Sequence, residues 1–163
     1  KTAKLIVKKS KFAAVNTQLN SSNLGFHVIS KYLGANLITI NETEMRHELR
    51  NKTDDRVSLI KILTKKLKSN YTHVTSGSEG SSIYNSTTNE IIKCPAFADK
   101  VIDKVGTGDS MLSILAISLY KKFDIKFSML LSALVAAENI KHMANKTSIN
   151  KTNITRAVQS YLK

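Results

Sequence analysis

The sequence predicts a layered α/β fold on a mainly parallel sheet, from three observations. Short apolar runs ending in a polar residue recur like buried strands, stretches with apolar residues at helical spacing lie between them, and the last third is helical throughout. Phe12 to Val15, ending at Asn16, and Leu37 to Ile40, ending at Asn41, are the first two such runs. Between them Phe26, Ile29 and Leu33 follow Ser22-Asn23 at helical spacing, and Gly34 is a suitable stop. After Asn41 a short helix is predicted through Met45 and Leu49. A longer one is expected from Thr53, with Val57, Ile60, Leu63 and Leu67 as its apolar stripe. Asp54 and Asp55 in its first turn and Lys65, Lys66 and Lys68 at its far end match the helix dipole.

His73-Val74-Thr75 reads as a third strand, followed by the turn Ser76 to Gly80. Ser82 to Tyr84 and Glu90 to Lys93, separated by the polar segment Asn85 to Asn89, read as a hairpin. Beyond it, helices are predicted over Asp109 to Lys122, Phe127 to His142 and Thr152 to Leu162, the last capped by Thr152 or Asn153. With no repeat and no linker composition, one domain over residues 1–163 is the expectation.

Composition narrows the function classes. The chain has 163 residues, 42% of them hydrophobic, and a formal net charge of +13. Such a surplus attracts polyanions, but the lysines are spread along the chain without the aromatic interleaving of a base-stacking surface. Nucleic acid is therefore not the expected partner. Met111 to Tyr120 and Phe127 to Ala137 are too short to span a bilayer, and Lys1 to Lys11 lacks a secretory pattern, so a cytoplasmic location without membrane partners is expected. Cys94 is the sole cysteine, and His27, His47, His73 and His142 have no metal-ligand spacing. Neither a disulfide nor a transition-metal site is expected.

Three elements carry candidate chemistry. Gly106-Thr107-Gly108-Asp109 stands directly before an apolar helix. Two glycines permit a turn whose amides, with the helix start, converge on an anion, and the Asp109 carboxylate beside it could take a proton from an attacking hydroxyl. The alternative is a plain turn with Asp as a cap. Asn41-Glu42-Thr43-Glu44 ends a strand, where α/β sheets collect ligands, and Asn41 and Glu44 could order hydrated magnesium. An acidic helix start is the alternative. Thr75-Ser76-Gly77-Ser78-Glu79-Gly80 also follows a strand, and its small residues would admit a nucleotide close to the backbone. An ordinary glycine turn would look the same, and no Walker A loop is present.

In combination and order, these elements resemble the ribokinase, or PfkB, family of carbohydrate kinases. That family has a strand ending in Asn-x-x-Glu, a later strand ending in Thr-x-Gly-x-x-Gly, and an Asp-x-x-Gly-x-Gly-Asp signature opening a long helix. Asn41 with Glu44, Thr75 with Gly77 and Gly80, and Asp103 with Gly106, Gly108 and Asp109 match. The resemblance implies a three-layer α/β/α, Rossmann-like domain that transfers a phosphoryl group from ATP to a sugar or sugar-phosphate hydroxyl. Asp109 would be the general base and the backbone of Gly106, Thr107 and Gly108 the anion hole. Asn41 and Glu44 would organise Mg2+ through water, and Thr75, Ser76, Gly77, Ser78, Glu79 and Gly80 would line the ATP site. Asp103 matches a position that holds a monovalent cation such as K+ in some members, although Lys104 and Val105 replace the usual Thr-Thr. Thr107 stands where Ala is commoner.

The runs Val15 to Asn20, Gly25-Phe26 and Ala144-Asn145-Lys146 resemble the subgroup containing heptose-phosphate kinases and kinase modules joined to a sugar nucleotidyltransferase. Nothing in Lys1 to Lys11 corresponds to the substrate-binding and lid half with which family members begin. The chain is therefore expected to be the carboxyl-terminal portion of such a kinase. Its expected partners are ATP, a sugar or sugar phosphate, the preceding half of the enzyme and a second copy of the chain. The competing readings are a non-catalytic nucleotide-binding or regulatory module of the same fold and a nucleic-acid-binding domain.

Overall fold

The computed structural model describes residues 2–18, 28–98, 105–141 and 149–161. They fall into two compact units. The first is Lys1–Ser76 with Ser81–Lys93, and the second is Gly77–Gly80 with Cys94–Lys163.

The first unit is built on a five-stranded sheet of order β1-β2-β3-β4-β5. β1 (Ala14–Asn16), β2 (Leu37–Asn41) and β3 (Tyr71–Thr75) are parallel, with Val15 opposite Ile38 and Ile38 opposite Thr72. β4 (Ser81–Asn85) runs antiparallel to β3, and β5 (Glu90–Cys94) lies beside β4 after the connection 86–89. The parallel arrangement of β2 and β3 requires a crossover. α2 (Glu42–Leu49) and α3 (Arg56–Leu67) supply it, both packing on these strands.

Strand side chains alternate between faces. Ile38, Ile40 and Val74 meet Met45, Leu59, Ile60, Leu63 and Leu67 in one core. Leu37, Thr39, His73 and Ile83, on the other face, are also buried. Burial of both faces explains why β2 reads as a continuous apolar run.

The elements follow the sequence closely, with shifts that have local causes. α3 begins at Arg56 rather than Thr53 because Asn51 Oδ1 accepts from the Thr53 and Asp54 amides in a turn of its own. Asp55 is the cap, accepting from Val57 N at 2.8 Å and Ser58 N at 3.0 Å. Val57 stays partly exposed, and Leu59 joins the buried stripe instead. Of the helix expected before Gly34, residues Ile29–Tyr32 form a 3-10 turn, and Phe26 lies outside the described residues. Gly34 has φ +85, as a chain reversal needs. α1 (Thr2–Lys9) was not anticipated: Leu5 and Ile6 are both 56% exposed, and Val7 alone reaches the core.

In the second unit α4 (Thr107–Tyr120) packs on α5 (Ile125–Asn139), and α5 on α6 (Lys151–Tyr161). Met111, Leu115 and Leu119 are the buried apolar residues of α4, spaced by four as one stripe. α5 starts earlier than Phe127 because Asp124 caps it, accepting from Phe127 N at 2.9 Å. α6 is capped by Asn150, whose Oδ1 accepts from Thr152 N at 2.8 Å, rather than by Thr152 or Asn153. Asn153 instead ties α6 to α5 through a 2.7 Å bond to Glu138. Among the described residues no helix is long and apolar enough to cross a membrane.

Candidate active site

The carboxyl ends of β2 and β3 bring four candidate residues of the first unit together. Asn41 and Thr75 are register partners as the last residues of their strands. Asn41 Oδ1 accepts from Glu44 N at 2.8 Å, and Glu44 Oε2 accepts from Asn41 N at 3.2 Å. This reciprocal capping box opens α2. It holds both oxygen-bearing side chains at the strand end and also accounts for both residue types as a helix start. Glu44 is 7% exposed.

Beside it lies a hub that the sequence reading passed over. Glu42 Oε1 accepts from Arg46 Nη2 at 2.8 Å, and Oε2 accepts from Arg56 Nε at 2.6 Å and from Ser76 Oγ at 3.0 Å. Arg46 also donates to the carbonyls of Lys52 and Asp54. One carboxylate thus ties the starts of α2 and α3 to the residue after β3. Partial burial pushes the Glu42 carboxyl up, but the bonds from Arg46 and Ser76 and the charge of Arg56 outweigh it and hold the group low. The i,i+4 spacing of Glu42 and Arg46 was the available signal. Arg56 and Ser76 lie 14 and 34 residues away and gave none.

One row further into the sheet, fully buried His73 faces Thr39, with Nδ1 3.5 Å from Thr39 Oγ1. Its Nε2 and Ser81 Oγ are buried without hydrogen-bond partners among the described residues. Burial pushes the imidazole down to about 4, so it is neutral in the folded chain at pH 7.

The turn from Thr75 continues in the second unit as a 3-10 turn, Gly77–Glu79, which contains Ser78. Gly80 N closes it by donating to Gly77 O at 3.1 Å. Gly77 has φ +59 and open space around it. Gly80 has φ +84, and a Cβ there would strike the Cys94 carbonyl and lie 2.7 Å from Pro95 C. Glycine is required at Gly80 on both counts.

Also in the second unit, Gly106 has φ +77 and occupies the cap position of α4 without a side-chain cap bond. Its carbonyl accepts from Ser110 N and Ser110 Oγ, both at 2.9 Å. The amides of Thr107, Gly108 and Asp109 therefore fall among the first-turn donors that an α-helix leaves unpaired internally. Together with the helix dipole, such a start favours negative charge. Asp109 is exposed in this turn, and the Thr107 hydroxyl is buried without a partner among the described residues. Asp103, the candidate for K+, lies outside the described residues, as do Gly25-Phe26 and Ala144 to Lys146. Among the described residues no cluster of three or more His, Cys, Asp or Glu could hold a metal ion unaided.

The sequence and the fold both have known relatives. The sequence is 35% identical over 111 residues to the bifunctional protein HldE of Campylobacter fetus, covering 66% of this chain and 24% of that protein. It is 36% identical over 102 residues to the bifunctional protein HldE of Helicobacter pylori, covering 60% and 21%. The chain thus spans about a quarter or less of the curated relatives it matches. Among solved structures, ribokinase from Thermotoga maritima superposes with a TM-score of 0.76 at 16% identity, over 97% of this chain and 52% of that one. Arabidopsis thaliana ribokinase, solved with ribose and ATP, gives 0.67 at 18% identity, over 80% and 43%. These likenesses establish the ribokinase fold. The model of the family described as pfkB family carbohydrate kinase matches residues 1–153, and the chain belongs to that family.

Proposed function

We propose that the chain is the carboxyl-terminal, nucleotide-binding portion of a kinase that transfers the γ-phosphoryl group of ATP to a sugar or sugar-phosphate hydroxyl. The observation that carries the reading is the helix start at Gly106–Asp109: glycine-entered, uncapped by a side chain, and with a carboxylate in its first turn, in a chain of this family. Asp109 takes the proton of the acceptor hydroxyl as its oxygen bonds to phosphorus, the bond to the β-phosphate breaks and ADP leaves. The amides of Gly106, Thr107 and Gly108 stabilise the transferring group.

Asn41 and Glu44 carry the hard oxygen donors that suit hydrated Mg2+, and the capping box presents them together at the end of β2. They would hold the ion through its waters, and the ion would neutralise phosphate charge. The turn Thr75 to Gly80 would receive ATP, and such chemistry belongs in the cytoplasm. Because matched relatives are bifunctional, and because the chain resembles the subgroup with heptose-phosphate kinases, heptose phosphates head the substrate panel. A second activity in the same polypeptide is part of the reading.

The test is phosphorylation of a sugar panel by the full-length protein with ATP and magnesium, against Asp109→Asn. Loss of about 100-fold or more in turnover is expected when a positioned base is removed. Full activity in that variant would sink the assignment. A non-catalytic nucleotide-binding module is the second reading, favoured by one observation: the capping box explains Asn41 and Glu44 without any metal. ATP binding without turnover on any sugar would select it.

A further inference from the structure

The first unit carries a polar groove at the opposite end of the sheet from Asn41 and Thr75. It has a volume of about 520 Å³ and is lined on one side by Lys61, Lys65 and Lys68. Its other walls are Ser69 and Asn70, which precede β3, and Tyr84 and Ser86 at the end of β4. β3 is five residues long, which separates this groove from the strand ends by about 13 Å.

The three lysines are exposed and lie in one line. At spacings of four and three along α3 and its cap they form one stripe, about 10 Å long. None of them lies within ion-pair distance of a carboxylate among the described residues, and no carboxylate lines the groove. Lys66, off the stripe, is paired instead, with Glu48 at 2.7 Å. Attraction to the helix dipole accounts for Lys65 in the last turn, Lys68 follows as the C-cap, and Lys61, mid-helix, adds its charge to the Ser58 and Val57 bonds that hold the Asp55 carboxyl low. Lys68 is the left-handed cap of α3 at φ +53, as Arg50 is of α2 at φ +52, and it brings the third ammonium to the groove.

The remaining wall groups complement negative charge. Asn70 Oδ1 already accepts from Asn36 at 3.0 Å, so its amide nitrogen is the group left to donate. Ser86 adds a hydroxyl, while the buried Ser69 Oγ is already engaged with Thr72 Oγ1 at 2.9 Å. Tyr84 is 8% exposed with its hydroxyl donated to Asn89 at 2.7 Å, and so offers no open ring face for a nucleobase. One phosphate would engage one or two ammonium groups, whereas three along this length suit at least two phosphoryl groups.

We propose that this groove is a binding site for a small, multiply phosphorylated molecule, recognised through its phosphates and distinct from the strand ends that carry Asn41 and Thr75. Inorganic tripolyphosphate is the probe, titrated calorimetrically into the 163-residue chain. Three proteins are compared: wild type, the groove triple Lys61→Gln, Lys65→Gln, Lys68→Gln, and a control triple Lys121→Gln, Lys122→Gln, Lys126→Gln with the same loss of charge. Thermal melting without ligand establishes that each is folded. The site predicts that the groove triple weakens binding by about tenfold or more while the control changes it by less than about threefold. Equal losses in both triples mean that bulk charge holds the anion and overturn the proposal, as does no loss in either. Groove-dependent binding of a single-stranded oligonucleotide but not of tripolyphosphate would also overturn it, in favour of a nucleic-acid surface.

Discussion

Ser76 Oγ donates a 3.0 Å hydrogen bond to Glu42 Oε2, so the first residue after β3 is fastened to the first residue of α2. The same carboxylate receives Arg46 and Arg56, and its loss should be felt in three segments at once. Glu42→Gln keeps the shape but loses the charge-assisted bonds, leaving two guanidinium groups facing each other. A loss of about 1–2 kcal/mol is expected in urea unfolding at pH 7, the lower part of the range for hydrogen-bonded charges because the site is partly solvated. Since the folded Glu42 carboxyl is held below its ordinary value, its contribution is present above the unfolded pKa and disappears as pH falls through the folded one. The difference between wild type and Glu42→Gln should therefore shrink as the pH is taken below the usual carboxylate range. A difference that stays constant down to strong acid would contradict the ionic account.

His73 governs a different pH window. Its folded pKa is pushed from 6.5 down to about 4 by burial, so between those values the unfolded chain binds the proton and the folded chain does not. Stability is full above pH 6.5 and falls as the pH drops towards 4, by on the order of 3 kcal/mol. His73→Leu removes the titrating group, and its stability should be flat from pH 6.5 down to the range where carboxylates such as Glu42 begin to protonate, whatever its value at pH 7. An unchanged slope in the variant would mean that another group sets the acid limb.

Much of this framework was legible in the sequence. β2, β3 and the hairpin announced themselves as apolar runs between polar punctuation, and Asn41 marked both a strand end and a helix start. The glycines before Asp109 marked the entry to α4. What could not be read depended on contacts distant in sequence or on competition between neighbouring caps. Asn51 and Asp55 both cap well, and only the turn made by Asn51 decided that α3 begins at Arg56. Glu42 was passed over because Arg56 and Ser76 reach it through the fold. The Asn41–Glu44 pair was found but its role was not settled, since a capping box and a magnesium-ordering pair call for the same two residues.

Gly77 and Gly80 separate two reasons for glycine within one turn. Gly77 needs only its φ of +59, with nothing within 4 Å of an added Cβ. Gly77→Ala should cost about 1 kcal/mol from backbone strain alone. Gly80 has both a φ of +84 and the Cys94-Pro95 backbone in the way, with Pro95 Cα only 2.8 Å from the added carbon. Backbone cannot yield as a flexible side chain does, so Gly80→Ala should cost about 3 kcal/mol or more. Thermal melts of the two variants side by side check the order. Equal melting temperatures would show that the turn opens at no cost near Pro95.

Thr107 offers the reverse case, a substitution expected to do no harm. Its Oγ1 is buried without a hydrogen-bond partner among the described residues, and an unpaired buried hydroxyl carries a desolvation penalty of about 1–3 kcal/mol. Thr107→Ala removes that penalty along with the methyl contacts, and alanine suits a helix start better than threonine does. The two effects leave a predicted stability change between zero and a gain of about 1 kcal/mol, measured by urea unfolding. If the proposed anion hole acts through backbone amides, Thr107→Ala should also keep sugar phosphorylation by the full-length protein within about threefold of wild type. A large drop in turnover at unchanged stability would place the hydroxyl itself against the transferring phosphoryl group and give Thr107 a side-chain role in the chemistry.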